Sequence, residues 1–193
     1  VEILKGSAAI SDAKGLYFIN PDSSVAGKPV QIWTQGETEA NSAWFPTIES
    51  TSEKYTQEVS ITVENNFVTL SNGYLAYSTQ NSNGTRTDVW KQDLPHAAYL
   101  TMVAGGNFSV IKDHWKNMEV NYYVEPKYQS TGKLIFGNTP EMINLFSEKL
   151  GVDYPWDKYS QIVVRDFVAG AMENTGAVTF AEDMNMDSRA HID

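Results

Sequence analysis

Between Tyr55 and Val63 the chain reads YTQEVSITV, with Tyr55, Val59, Ile61 and Val63 on one parity and Thr56, Glu58, Ser60 and Thr62 on the other. Successive side chains of a strand point to opposite faces, so this period of two describes a half-buried β-strand and is wrong for a helix. Ser71-Asn72-Gly73 and Asn83-Gly84 follow as turn signals, because Asn and Gly tolerate the positive φ of tight hairpins. Between and after them lie candidate strands at Tyr74–Thr79 and Thr85–Trp90. Met118, Val120, Tyr122 and Val124 alternate again with Glu119, Asn121, Tyr123 and Glu125. Residues 1 to about 125 are therefore expected to form antiparallel β-structure, with no fixed-period repeat.

The character changes after residue 127. The stretch Tyr128–Gly137 is polar and Gly-bearing, and a capped helix is expected beyond it. Thr139 is suited to the N-cap and Pro140 to the first helical position, where its missing N–H costs nothing. Met142, Ile143, Leu145, Phe146 and Leu150 recur at helical spacing, and Gly151 supplies the stop. The run Ile162-Val163-Val164 predicts a buried strand, with another near Ala177–Phe180. A domain boundary is expected near residue 127.

Composition excludes several classes. With 41% hydrophobic residues the chain can bury a core. Its 14 Lys+Arg against 24 Asp+Glu give a formal charge of −10, which argues against nucleic acid or an anionic membrane as partner. There is no cysteine, so thiolate zinc sites and cysteine nucleophiles are out. No run of eighteen apolar residues occurs, so no membrane-spanning segment is expected. The opening residues Val1–Lys5 begin inside an alternating pattern, which reads as a piece of a longer protein with no visible leader. His96, His114 and His191 form no H-E-x-x-H, so no metal site is expected here, and His96 after Leu94-Pro95 reads as a turn histidine. There is no G-x-S-x-G elbow, and Gly105-Gly106 lacks the lysine of a phosphate cradle.

One stretch stands apart. Residues 168–180 read VAGAMENTGAVTF, in which Ala169, Gly170 and Ala171 leave the backbone bare beside Glu173. A bare edge admits a second backbone, and a carboxylate at its end can meet the cationic terminus of a docked extended peptide. The same letters also suit a Gly bulge joining two strands.

GAMEN at 170–174 resembles the exopeptidase motif of the aminopeptidase N family of zinc metallopeptidases, whose relatives include the leukotriene hydrolase. The approach LGVDYPWDKYSQIVVRDFVAGAMENTGAVTF is similar to that family's, as are Trp33-Thr34-Gln35-Gly36-Glu37, Trp44-Phe45-Pro46 and LPHAAYLTMVAGGNF at 94–108. The resemblance implies a mainly β fold: a curved antiparallel β-sandwich N-terminal domain over 1–127, then over 128–193 the truncated α+β start of a thermolysin-like catalytic domain. It implies that Glu173 binds the substrate's free α-amino group. Gly170 and Ala171 would hydrogen-bond the peptide backbone, Gln35 and Glu37 would close the first side-chain pocket and share the amine, and Met172 would line it. Asn174 is expected to hold the turn. In this family the H-E-x-x-H helix, the third zinc-ligand glutamate and the transition-state tyrosine all follow GAMEN, and none occurs up to Asp193. Zinc is accordingly expected in the parent enzyme and not on this stretch, which should be inactive alone. Its implied partners are peptides with a free N-terminus and the remainder of the catalytic domain. The competing expectation is a non-catalytic β-sandwich scaffold of the same family, binding through exposed aromatics such as Trp33, Trp44, Trp90 and Trp115.

Overall fold

Alternation governs the longest strands. In the computed structural model, which describes residues 15–187 and Arg189, β3 (Lys54–Glu64) is exposed at every even position and half-buried at every odd one along its whole length. It pairs antiparallel with β6 (Thr85–Ala97), which pairs in turn with β5 (Tyr74–Gln80), giving a three-stranded sheet in the order β3-β6-β5. Gly84 takes the positive φ of the β5–β6 hairpin (+80°). β6 runs well beyond the Trp90 at which the sequence ended it. Pro95 cannot donate to a ladder, but residues 93–95 are exposed in a register irregularity between Tyr55↔His96 and Gln57↔Gln92, and pairing resumes behind them. His96 is thus a buried strand residue and not a turn histidine.

A second antiparallel sheet has the order β1-β2-β7-β4, from β1 (Gly15–Ile19), β2 (Gln31–Gln35), β4 (Val68–Ser71) and β7 (Val103–Gly106). The third takes β8 (Ser109–Trp115) and β9 (Met118–Val124) from before residue 127 and β10 (Lys158–Val164), β11 (Ala171–Met172) and β12 (Ala177–Ala181) from after it. Its order is β11-β12-β10-β9-β8. β10 is parallel to both β9 and β12, and the β9-to-β10 crossover carries two helices, as parallel neighbours require.

The central strands of this sheet separate two cores by the same period of two. Tyr123, Ile162 and Val164 pack with Trp33, Leu70, Trp90 and Met102 beneath the other sheets. Val120, Tyr122, Val124 and Val163 face the opposite side, against Phe136 and Ile143 of the helices. So β9 is buried on both faces, where alternation alone suggested one wet face.

The helices depart from expectation in two ways. The polar stretch before residue 137 contains a short helix, α1 (Gly132–Phe136), in which a Cβ on Gly132 would come 2.3 Å from Ile111 Cδ1. In α2 (Thr139–Leu150) the N-cap is Asn138; the Thr139 hydroxyl instead donates to Gln161 Oε1 at 2.7 Å. Gly151 ends the helix at φ +70°. Of the five periodic apolar residues only Ile143 is buried, while Met142, Leu145, Phe146 and Leu150 are exposed. Trp33, Trp90 and Trp115 are core residues, which removes them as surface platforms. Among the described residues no helix is long and apolar enough to cross a membrane.

Candidate functional site

The GAMEN letters fall on β11 and the turn after it. β11 is two residues long and stands at the edge of its sheet, with Ala171 opposite Phe180 and Met172 opposite Thr179 on β12. The strand thus begins at Ala171, and Val168, Ala169 and Gly170 form its exposed approach. Ala181 N–H donates to Gly170 O at 3.0 Å. Bonded and unbonded pairs alternate in an antiparallel ladder, so Ala171 turns its N–H and C=O to the open side. Gly170, Ala171 and Glu173 are exposed, Met172 is fully buried, and a Cβ on Gly170 would meet nothing within 4 Å.

Behind Glu173 the chain is tied down. Asn174 O accepts from Ala177 N–H at 3.0 Å, the Asn174 amide reaches Thr179 Oγ1 at 3.2 Å, and Gly176 turns at φ +66°. Asn72 Nδ2 donates to Thr175 O at 2.9 Å, across 103 positions of sequence. The Lys158 ammonium donates to Ser71 O at 2.7 Å and to Gly176 O at 3.2 Å, and lies 5.2 Å from the Trp90 ring. Burial pushes the Lys158 pKa down to about 7, against the opposing pull of Asp157 and Glu119.

The approach to β11 is fixed from the other side. Trp33 Nε1 donates to Arg165 O at 3.0 Å, and Gln31 Oε1 accepts from Arg165 N–H at 2.9 Å. The Arg165 guanidinium pairs with Glu125, Lys28 pairs with Asp166, and Glu182 accepts from Asp166 N–H at 2.7 Å. The start and middle of β2, at Gln31 and Trp33, are therefore tied to Arg165 at the end of β10. Gln35 is buried with Oε1 unpartnered, and Glu37 is exposed just beyond it. The two halves meet through intermediates: Gly36 lies against Tyr99 O, and Asn72 Nδ2 joins neighbouring Leu100 O to Thr175 O. Among the described residues neither Glu37 nor Glu173 forms an ion pair, so both carboxylates stand free at the surface.

Sequence reasoning missed the anchoring residues. Asn72 read as a turn former, Lys158 and Thr175 as nothing in particular. No local signal marks them, because each acts on a partner remote in sequence.

The described residues do not make a zinc site. His96 engages both ring nitrogens, with Thr175 Oγ1 at 3.1 Å and Gln57 Oε1 at 3.0 Å, and His114 is exposed on β8. No three of their His, Asp and Glu side chains converge as a metal would need. His191 lies outside the described residues.

Residues 8–100 match the Peptidase M1 N-terminal domain, and residues 135–191 match the Peptidase family M1 domain. Aminopeptidase M1 of Arabidopsis thaliana is 30% identical over 180 residues, covering 92% of this chain and 20% of that protein. Puromycin-sensitive aminopeptidase of Caenorhabditis elegans is 31% identical over 140 residues, covering 72% of the chain and 15% of its own length. Human glutamyl aminopeptidase is 27% identical over 139 residues, covering 72% and 14%. The two matches follow one another along the chain, the N-terminal-domain match before the peptidase-domain match. The chain belongs to peptidase family M1, the aminopeptidase N family of zinc metallopeptidases. It spans a fifth or less of the length of these relatives.

Proposed function

We propose that this chain is the substrate-anchoring part of a zinc-dependent aminopeptidase that removes N-terminal residues from peptides. The observation that carries the reading is the open edge at β11, with Ala171 free to pair and Glu173 exposed at its end. An extended peptide adds there as one more strand, and main-chain hydrogen bonds set its register. Gly170, whose carbonyl is already bonded to Ala181, contributes by keeping the approach bare. The peptide's terminal ammonium then meets Glu173, with Glu37 and Gln35 supplied from the end of β2. Met172, expected to line the first pocket, is fully buried and supports the edge strand from beneath instead. An α-amino group has a pKa near 8 and is mostly charged at neutral pH, so carboxylates suit it. The division into an N-terminal domain over 1–127 and the opening of the catalytic domain over 128–193 belongs to the same proposal. Zinc has no donor set among the described residues, and the hydrolytic step is assigned to none of them.

The test is Glu173→Ala in the intact enzyme. A hydrogen bond to a charged partner contributes roughly 1.5–3 kcal/mol, so hydrolysis of free-amine peptides should fall about ten- to 150-fold. The preference for free over N-acetylated peptides should shrink with it. An unchanged preference in a folded, zinc-loaded variant removes Glu173 from the amine site.

A further inference from the structure

Glu173 is exposed and unpaired, so its own side-chain contacts do not orient it. Its placement comes from the backbone on either side. Met172 is held by β12, and Thr175 meets side chains from the first half of the chain. One fixed point sets the direction of every hydrogen bond around Thr175. The Met102 backbone N–H can only donate, and it lies 2.8 Å from Asn72 Oδ1. That contact identifies the amide oxygen, so Asn72 Nδ2 is the atom donating to Thr175 O. The same oxygen accepts from Gln57 Nε2 at 3.0 Å. Gln57 Oε1 is then an acceptor, 3.0 Å from His96 Nε2 and 3.1 Å from Thr101 Oγ1. An oxygen that only accepts requires the proton on His96 Nε2.

The His96 ring is 2% exposed and, among the described residues, meets no carboxylate. Tyr55 lies edge-on at 5.6 Å, and Lys158 adds a cation at the neighbouring Gly176 carbonyl. A neutral imidazole has one N–H, so Nδ1 accepts from the Thr175 hydroxyl. The donors therefore run Thr175 to His96 to Gln57 to Asn72 and back to Thr175, a closed circuit.

We propose that His96 is a positioning residue for Glu173, holding the turn behind that carboxylate through Gln57, Asn72 and Thr175. The inference rests on Glu173 as the amine anchor. Three members of the circuit come from the N-terminal β-layers and one from the peptidase-side turn, so the first half of the chain sets the placement of the second half's carboxylate. Holding a carboxylate in place before substrate arrives is what makes its charge useful, since little reorganisation then remains.

The experiment uses the intact enzyme and the ratio of free-amine to N-acetylated peptide hydrolysis. Thr175→Val keeps the shape and removes the hydroxyl, and the ratio should fall about three- to tenfold. Thr175→Ser should restore it. In a Glu173→Ala background Thr175→Val should lower the ratio no further. A merely structural role lowers both hydrolysis rates together and leaves the ratio unchanged, which would overturn the proposal. If Glu173→Ala itself leaves the ratio intact, the amine-anchor reading falls and this proposal with it; if only Thr175→Val does, the positioning role alone is overturned. Should Thr175→Val fail to fold, nitrogen-15 spectra of histidine-labelled unmodified enzyme decide. A neutral, Nε2-protonated His96 from about pH 5 to pH 8 supports the circuit. A proton on Nδ1, or titration within that range, refutes it.

Discussion

The front and the back of one short segment are built on opposite terms. Gly170, Ala171 and Glu173 face solvent with few partners, whereas Asn174, Thr175 and Gly176 are buried and bonded on several sides. The front offers an unpaired backbone edge and an unpaired charge, both useful only to something not yet bound. The back ties a turn by hydrogen bonds within its own sheet, from Ala177, Thr179, Ser160 and Lys158, and by two partners from the other sheets, Asn72 and His96. Recognition and placement are thus separated within a few residues. The difference should appear as a division between substitutions that alter substrate choice and substitutions that alter stability.

The largest stability effect is expected at Asn72. Its side chain donates to Leu100 O and Thr175 O and accepts from Met102 N–H and Gln57 Nε2. Asn72→Ala strands the buried Thr175 carbonyl and Met102 N–H and the half-buried Leu100 carbonyl and Gln57 amide, and each unsatisfied buried group costs about 1–3 kcal/mol before relaxation. A net loss of about 3–5 kcal/mol is expected, large against a total of about 5–15 kcal/mol for a typical domain. Equilibrium unfolding in urea measures it. A loss under about 1 kcal/mol would mean that the back is no better tied than the front.

Next comes pH. Burial lowers His96 from 6.5 to about 4, so between those values the unfolded chain binds a proton that the folded one refuses. The contribution of neutral His96 is therefore complete above pH 6.5 and is lost as pH falls toward 4, about 3 kcal/mol in all. Lys158, lowered from 10.5 to about 7, acts with the same sign in a higher window, weakening the fold as pH drops from 10.5 to 7. Urea midpoints across pH should show both slopes, and His96→Asn should flatten the lower one. A flat profile between pH 4 and 6.5 in the unmodified protein would show that the back is open to water.

The glycines sharpen the contrast at smaller scale. Gly176 sits at φ +66°, and a Cβ there would come 3.0 Å from Lys158 O. Gly176→Ala should cost about 1–2 kcal/mol from the left-handed conformation alone. Thermal and urea unfolding both report it.

How much of this could be read from the letters follows from the range of the interactions. Strand β3 was legible because burial on one face imposes its own period, and GAMEN was legible because five adjacent letters carry it. The extent of β6 was not, since Pro95 ends strands in general and is accommodated here only by the register irregularity at residues 93–95. The short helix α1 was hidden because five residues give too little periodicity to see. The roles of His96, Asn72 and Lys158 were invisible for a different reason: their partners lie 79, 103 and 87 positions away, at distances set by the assembled sheets. Three of the four tryptophans first read as possible surface platforms are core residues for the same reason.

The smallest effect belongs to the front. Gly170 has no positive φ, and a Cβ added to it would meet nothing within 4 Å, so neither strain nor collision opposes Gly170→Ala. Glu173 is exposed and has no ion-pair partner among the described residues, so Glu173→Gln removes a charge without stranding a buried partner. Surface changes away from packing and networks usually stay within about 0.5 kcal/mol, and both variants should unfold at the urea midpoint of the parent. Activity should separate them. Glu173→Gln keeps the size and the acceptor but loses the charge, so it should weaken free-amine peptides while sparing N-acetylated ones. Gly170→Ala thickens the approach to the edge strand without touching the amine, so it should weaken both kinds of peptide alike. A destabilisation above about 1 kcal/mol in either variant would show that the front carries packing of its own, and the separation of recognition from placement would fail at that residue.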